Sequence, residues 1–353
     1  MLKRQREAAL LPSKPFARVH RILQQATGKH FTGAVARIES GGAVRFERAY
    51  GTTRADELGE PVYVDTRFDL ASITKLFVAT LALRAVEESR VELDEPLARW
   101  FPEWRGTDRE PIHLRMLLAH TSGMNSGADY RLLLGHNVVR YTLERELAAQ
   151  PGERVIYSDL GFIATGELLQ RIYGQSLGAI SSTLRGLDYR PAAAARRSIP
   201  ATENDGWRGR VQGFVHDEKA YLMGGVAGHA GLFGTAEDVA WLAEQYLGRL
   251  HGRARNGSLS AELVSEATRE QAADPVLRRG LGWALKTSDE NSCGRLFSAK
   301  SFGHTGFVGT CVWADPQRDC AGVLLTNSVY FGRSDTRDLR ASFYEALVED
   351  LEC

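Results

Sequence analysis

Residues 68–77 read FDLASITKLF and lead into ITKLFVATLALRAVEE, a run apolar on nearly every side. A helix of that kind is usually buried all round. Ser72 stands at its start, three residues before Lys75. Two readings compete. A serine ahead of an apolar run is most often a helix cap. It is equally placed to be a nucleophile with Lys75 as its base, because positions i and i+3 share a helix face and can touch. A capping box asks for Glu or Gln at the third helical position, and Lys has the wrong charge. A cation in the first turn also opposes the helix dipole. Added to apolar burial, this predicts a neutral Lys75 amine. Backbone N–H groups at such a helix start can also stabilise an oxyanion.

Upstream, residues 15–25 predict an amphipathic helix with Phe16, Val19, Ile22 and Leu23 on one face. GAVARIES and AVRFERAYG then flank Gly41-Gly42, a two-residue turn signal for a β-hairpin. Downstream the chain is helix-rich to about residue 186. PIHLRMLLAHTSG holds a short helix ending in a Ser122-Gly123 turn, TLERELAAQ a helix stopping at Pro151-Gly152, and DLGFIATGELLQRIYG a helix capped by Gly174. Residues 185–213 are loop-like and arginine-rich. TAEDVAWLAEQYLGRL is a helix with Thr235 as cap and Asp238 in the capping box. GLGWALKT, FGHTGFVGTCVWAD and CAGVLLTN suit an antiparallel meander, and TRDLRASFYEALVEDL closes as a helix. Strands at both ends with helices between them predict an α+β fold: an antiparallel sheet flanked by the terminal helices, with an inserted all-helical lobe.

Two further stretches carry chemistry. Tyr157-Ser158-Asp159 precedes a helix. Asp159 is either its cap or a site residue, and Tyr157 either a core aromatic or a phenol that relays a proton. His304-Thr305-Gly306 opens a predicted strand, where Gly306 permits close approach of a ligand and the exposed edge can offer a second oxyanion donor.

Taken in order, Ser72-x-x-Lys75, Tyr157-Ser158-Asp159 and His304-Thr305-Gly306 resemble the three motifs of the serine β-lactamase and penicillin-binding protein superfamily. The resemblance is closest to the class C β-lactamase-like branch, with its esterases, D-aminopeptidases and peptidoglycan hydrolases. It extends over roughly residues 30–350 through LLAHTSGM, ELDEPLARWFPEW and GGVAGHAGLFGTAEDVAWLAE. It implies an acyl-enzyme on Ser72, base and acid work shared by Lys75 and Tyr157, and an oxyanion hole from the Ser72 and Phe307 amides. It also implies residues 1–65 with 205–353 as an α/β lobe, residues 66–204 as a helical lobe, and the site between them. Asp159 and Thr305 join Gly306 among the expected substrate contacts. Two departures stand out. Asp159 replaces the Asn of β-lactamases and transpeptidases and cannot donate to a substrate carbonyl when ionised. His304 replaces a Lys and offers only a weaker, pH-dependent charge. Both favour an ester, amide or peptide substrate over a β-lactam. A cell-wall-fragment amidase, a D,D-carboxypeptidase, a true β-lactamase and a catalytically silent binding protein on the same fold are the alternatives.

Composition excludes other classes. The 353 residues carry 44 Lys+Arg against 44 Asp+Glu, so no electrostatic footprint for nucleic acid exists. No apolar stretch is long enough to span a membrane. The basic N-terminus offers only Ala8–Leu11 as an apolar run, too short for a secretory signal, so the chain as given reads as cytoplasmic. A trimmed leader would leave the same pattern and a periplasmic address. Cys293, Cys311, Cys320 and Cys353 lack zinc-ligand spacing, and His216, Asp217, Glu218 and His229 lack zincin spacing, so neither metal nor cofactor is expected. With no G-x-S-x-G, an α/β-hydrolase elbow is absent. Oligomeric state is left open.

Overall fold

A computed structural model of the chain describes residues 16–185, 187–253, 257–274 and 278–353. The N-terminal stretch with Ala8–Leu11 lies outside the described residues. Helix α1 (Ala17–Ala26) is followed by the hairpin β1 (Gly33–Ser40) and β2 (Ala43–Gly51), whose turn glycines Gly41 and Gly42 have φ of 62° and 74°. Glycine adopts two such angles in succession at no steric cost. The short β3 (Phe68–Asp69) leads to α2 (Thr74–Glu87). Next come α3 (Leu114–Leu118), α4 (Val138–Glu144), α5 (Asp159–Tyr173) and α6 (Leu177–Ser181). A small ribbon of β4 (Asn204–Asp205) and β5 (Gly209–Arg210) precedes α7 (Glu218–Leu222) and β6 (Phe233–Gly234). Then follow α8 (Ala236–Leu250), α9 (Ala261–Thr268), β7 (Ala284–Leu285), β8 (Phe302–Thr305), β9 (Cys311–Asp315), β10 (Cys320–Thr326) and α10 (Arg337–Leu351).

Six strands form one sheet in the order β2-β1-β10-β9-β8-β7, with every pairing antiparallel. The strands alternate as a two-faced sheet must. Ala34, Ala36, Ile38, Cys311, Trp313 and Leu324 pack with Val19 and Leu23 of α1 and Phe343, Tyr344 and Leu347 of α10. Val35, Val312, Ala314, Val323 and Leu325 face the other way, onto Val239, Leu242 and Tyr246 of α8. That second core continues without a break into α2 and α5 through Phe77, Leu81, Phe162 and Leu168. Every residue from Thr74 to Leu83 is buried, as the all-round apolar run required. Each fully buried Leu, Val or Phe there contributes ~1.5–3 kcal/mol.

The α+β architecture with terminal helices on one face of an antiparallel sheet is therefore as expected. Thr235 caps α8 with its capping box complete, and Gly174 ends α5 in the left-handed conformation. One helix is misplaced. TLERELAAQ does not run to Pro151: α4 begins at the Asn137 cap and stops at Glu144. Beyond it the backbone is recruited elsewhere, Ala148 N–H donating to the Gly123 carbonyl and Gly152 N–H to the Thr121 carbonyl. The strand GLGWALKT also shortens to Ala284–Leu285.

Candidate active site

The site begins with the two residues that set up Ser72. β3 pairs with β6, and Leu70 N–H donates to the Leu232 carbonyl. Ala71 then takes φ of 46°, a left-handed angle that costs a non-glycine residue about 1–3 kcal/mol. Asp69 holds it there: Oδ1 accepts from Ala71 N–H at 2.8 Å and Oδ2 from His216 N–H at 2.7 Å. Burial pushes the Asp69 carboxyl up to about 6, against the pull of those two amides. Ser72 follows in a short 3-10 turn, Ala71–Ile73, and the cap position of α2 falls to Ile73. The Ser72 hydroxyl therefore caps nothing. Its Oγ instead accepts from Lys75 Nζ at 3.0 Å and from the Tyr157 hydroxyl at 2.9 Å.

Lys75 is fully buried and has three acceptors: Ser72 Oγ, Asp159 Oδ1 at 2.9 Å and the His229 carbonyl at 3.0 Å. Three N–H donors matched to three acceptors describe an ammonium. Burial pushes Lys75 down, but the Asp159 carboxylate and Tyr157 outweigh it and hold the group above its ordinary value. The neutral amine expected from burial and the helix dipole is thus overturned by a carboxylate far away in sequence. Tyr157 is held from several sides. Its carbonyl accepts from Ser126 Oγ at 3.1 Å, and its ring lies 4.8 Å from that of His120. Lys75 and Arg279 face the ring at 5.0 and 5.3 Å.

The cap of α5 is Ser158, whose Oγ accepts from Gly161 N–H at 2.8 Å; Asp159 is the first helical residue. Both Asp159 oxygens are taken by lysines, Oδ1 by Lys75 and Oδ2 by Lys219 at 3.2 Å. Burial raises the Asp159 carboxyl, yet Lys75 and His229 with Lys219 bring it below the ordinary range. Asp159 therefore pairs with Lys75 and Lys219, where the sequence placed it against substrate.

His304 lies on β8 at 3% exposure. Its Nδ1 is 2.8 Å from the Thr305 carbonyl, which can only accept, so Nδ1 carries the proton and the buried Nε2 is a bare lone pair. Burial first, then Arg279 and Lys75, push His304 down to about 3. The pH-dependent cation expected at this position is absent near neutral pH. At Gly306 an added Cβ would come within 2.1 Å of Thr310 Oγ1 and 2.9 Å of the Leu70 carbonyl. The end of β8 is thus pressed against the turn that bears Ser72, and only glycine fits. The amides of Ser72 and Phe307 have no backbone acceptor among the described residues. The Phe307 ring is 55% exposed beside His216 and Arg333.

Two contributors were not singled out in the sequence. Arg279 is buried with Nε and Nη1 unpaired, and His120 accepts from Ser158 N–H at 3.0 Å through Nδ1. Arg279 sits in no stretch used for the resemblance, whereas His120 lies within LLAHTSGM, whose turn brings it to φ of 61°. Tyr157, Arg279, His304, Thr305 and Arg340 line a cleft of about 450 Å³. A larger cavity of about 950 Å³, bordered by Arg67, Asn137, Gln170 and Tyr189, shares no residue with this cluster. Asp159, Asp217 and His229 bring ligand-type atoms within 4.8 Å of one another. Lys75 and Lys219 already neutralise both carboxylates, so the group is an ion-pair lattice and a poor cation site. The arginines of residues 185–213 are mostly tied locally, Arg185 to Glu237, Arg190 to the Gly224 carbonyl and Arg208 to Asp205.

The family model described as Beta-lactamase matches residues 19–346. An N-acetylmuramyl-L-alanine amidase of Bacillus subtilis is 29% identical over 91% of this chain and 82% of its own. Esterase EstB of Burkholderia gladioli is 29% identical over 90% and 92%. Among solved structures, EstCE1, a hydrolase with promiscuous acyltransferase activity, superposes with a TM-score of 0.76 at 20% identity, covering 94% of this chain and 97% of that one. With a nucleophile-lysine-tyrosine cluster on this fold and a match over most of its length, the chain belongs to the β-lactamase family of serine hydrolases.

Proposed function

We propose that this enzyme cleaves an ester or amide through an acyl-enzyme on Ser72. The observation that carries the reading is the Ser72 hydroxyl itself: it is released from capping and receives both Lys75 and Tyr157 at about 3 Å. In the first step Ser72 Oγ attacks the substrate carbonyl carbon and its proton passes to the Lys75–Tyr157 pair. Because Lys75 rests as an ammonium, the pair must first lose one proton, and its two members titrate as a unit. Negative charge growing on the carbonyl oxygen meets the Ser72 and Phe307 amides. Tyr157, the member facing the cleft, returns the proton to the leaving group. Water then attacks the acyl-enzyme by the same relay in reverse. The neutral His304 and the lysine-bound Asp159 leave an ester or peptide-type substrate favoured over a β-lactam. The amidase relative, matched over most of both chains, makes a cell-wall-fragment amide the first peptide-type substrate to try.

Intact mass after brief exposure to p-nitrophenyl acetate tests the mechanism. One acetyl adduct on the wild type and none on Ser72→Ala is the expected result. Equal p-nitrophenol release by both proteins would sink it. No adduct and no release from the wild type would point to a silent binding protein.

A further inference from the structure

We propose that Lys219 is a positioning residue of the hydrolytic site: its ammonium divides Asp159 between two cations and so frees the Lys75–Tyr157 pair to take the serine proton. The inference rests on the acyl-enzyme reading and extends it to a residue outside all three motifs. Lys219 projects from α7, an element that carries no motif residue, and reaches Asp159 Oδ2 at 3.2 Å while Lys75 holds Oδ1 at 2.9 Å. Its side chain is 14% exposed, so solvent screens it little. Asp217 fixes its approach. That carboxylate caps α7 by accepting from Ala220 N–H at 2.8 Å, and it also binds His229 Nε2 at 2.7 Å. The His229 carbonyl in turn accepts from Lys75.

A base held by a private carboxylate is a poor base, because the ion pair must be broken each time the proton is to be accepted. Here the carboxylate is shared. A second positive charge across Asp159 weakens its grip on Lys75 and favours loss of a proton from the pair. His304, at the motif position where β-lactamases and transpeptidases carry Lys, is uncharged and supplies no second cation. Among the described residues, the charged and titratable groups around Lys75 and Asp159 include Tyr157 just before α5, Asp217 and Lys219 at α7, and His229 before β6. Arg279 before β7, His304 on β8 and His120 after α3 are also among them. Arg279 lies over the Tyr157 ring, so Lys219 is the cation on the Asp159 side.

The test is the pH dependence of kcat/KM with p-nitrophenyl acetate for the wild type, Lys219→Gln and Lys219→Arg. Glutamine keeps an N–H donor for Oδ2 and removes the charge. The acid limb of Lys219→Gln is expected to move up by ~1–2 pH units, as for a like charge lost at ~5–6 Å at an effective dielectric constant of ~20–40. Lys219→Arg should stay within ~0.3 unit of the wild type. A folded Lys219→Gln with an unmoved limb overturns the proposal, as does an equal shift in both variants. Should Lys219→Gln not fold, Lys219→Met takes its place. If neither neutral variant folds while Lys219→Arg does, Lys219 is a structural ion-pair partner and the proposal fails. An acetyl adduct on wild-type Ser72 with an unmoved limb defeats this inference alone, whereas no adduct on the wild type defeats the acyl-enzyme reading beneath it.

Discussion

Tyr157 shows most directly what a single atom contributes. Its hydroxyl lies 2.9 Å from Ser72 Oγ, while its ring is held independently against His120. Tyr157→Phe should therefore keep the fold and lose the relay. Acylation by p-nitrophenyl acetate is expected to slow by ~10²–10⁴, the usual range for an acid–base group, with little change in thermal midpoint. Stopped-flow burst kinetics beside a melting curve checks both halves. A midpoint that collapses with the rate would make the phenol structural. The residue types of the site were legible in the sequence because Ser72 and Lys75 are one helical turn apart and the other two motifs follow in order. Their protonation states were not. The charge of Lys75 depends on Asp159, and the neutrality of His304 on its burial beside Arg279. Both contacts join segments that no local window contains, so a local argument from the helix dipole gave the wrong sign for Lys75.

At the level of elements, the active site depends on one close approach, that of the β8 end to the turn preceding α2. Gly306→Ala would drive a methyl group into Thr310 Oγ1, which could turn away only by giving up its hydrogen bond to Leu70, and toward the Leu70 carbonyl, which cannot withdraw without moving backbone. The expected outcome is a drop in acylation of ~10² or more, from displacement of the Phe307 amide. The melting point should fall by several degrees, corresponding to ~1–3 kcal/mol of overpacking. Burst amplitude and scanning fluorimetry measure the two, and an unaltered acylation rate would remove Phe307 from the oxyanion hole. The same scale shows where sequence reading works. The α8 capping box and the Gly41-Gly42 turn are complete within a few residues, and both are found as expected. The end of α4 is set by Gly123 and Thr121, which claim the following backbone from a different segment. TLERELAAQ has the composition of a helix and contains no trace of that competition.

The whole molecule carries a pH dependence that its active site does not fix. His120, His216 and His304 are all pushed below their ordinary value of 6.5, burial being the first cause in each. Each stays neutral in the folded state and takes up a proton on unfolding below that pH. Stability from these groups is full above 6.5 and is lost as pH falls, for His304 down to about 3. Asp69 acts in the opposite sense, since its folded carboxyl is raised to about 6, but burial lowers His20 and His113 as well, so it is one group against five. The melting point should be lower at pH 5 than at pH 7.5, and His304→Asn should flatten part of that slope. Fluorimetric melts across the range decide it; a midpoint rising on acidification contradicts the burial of these rings. At this scale the sequence predicted the helices that cover the sheet, but it did not show that β10 lies between β1 and β9. That placement has a consequence for synthesis. Ala34 pairs with Thr326, so the N-terminal hairpin leaves the ribosome early and waits, with its inner edge bare, until nearly the whole chain has been made. A nascent chain of this enzyme presents an open strand template throughout translation.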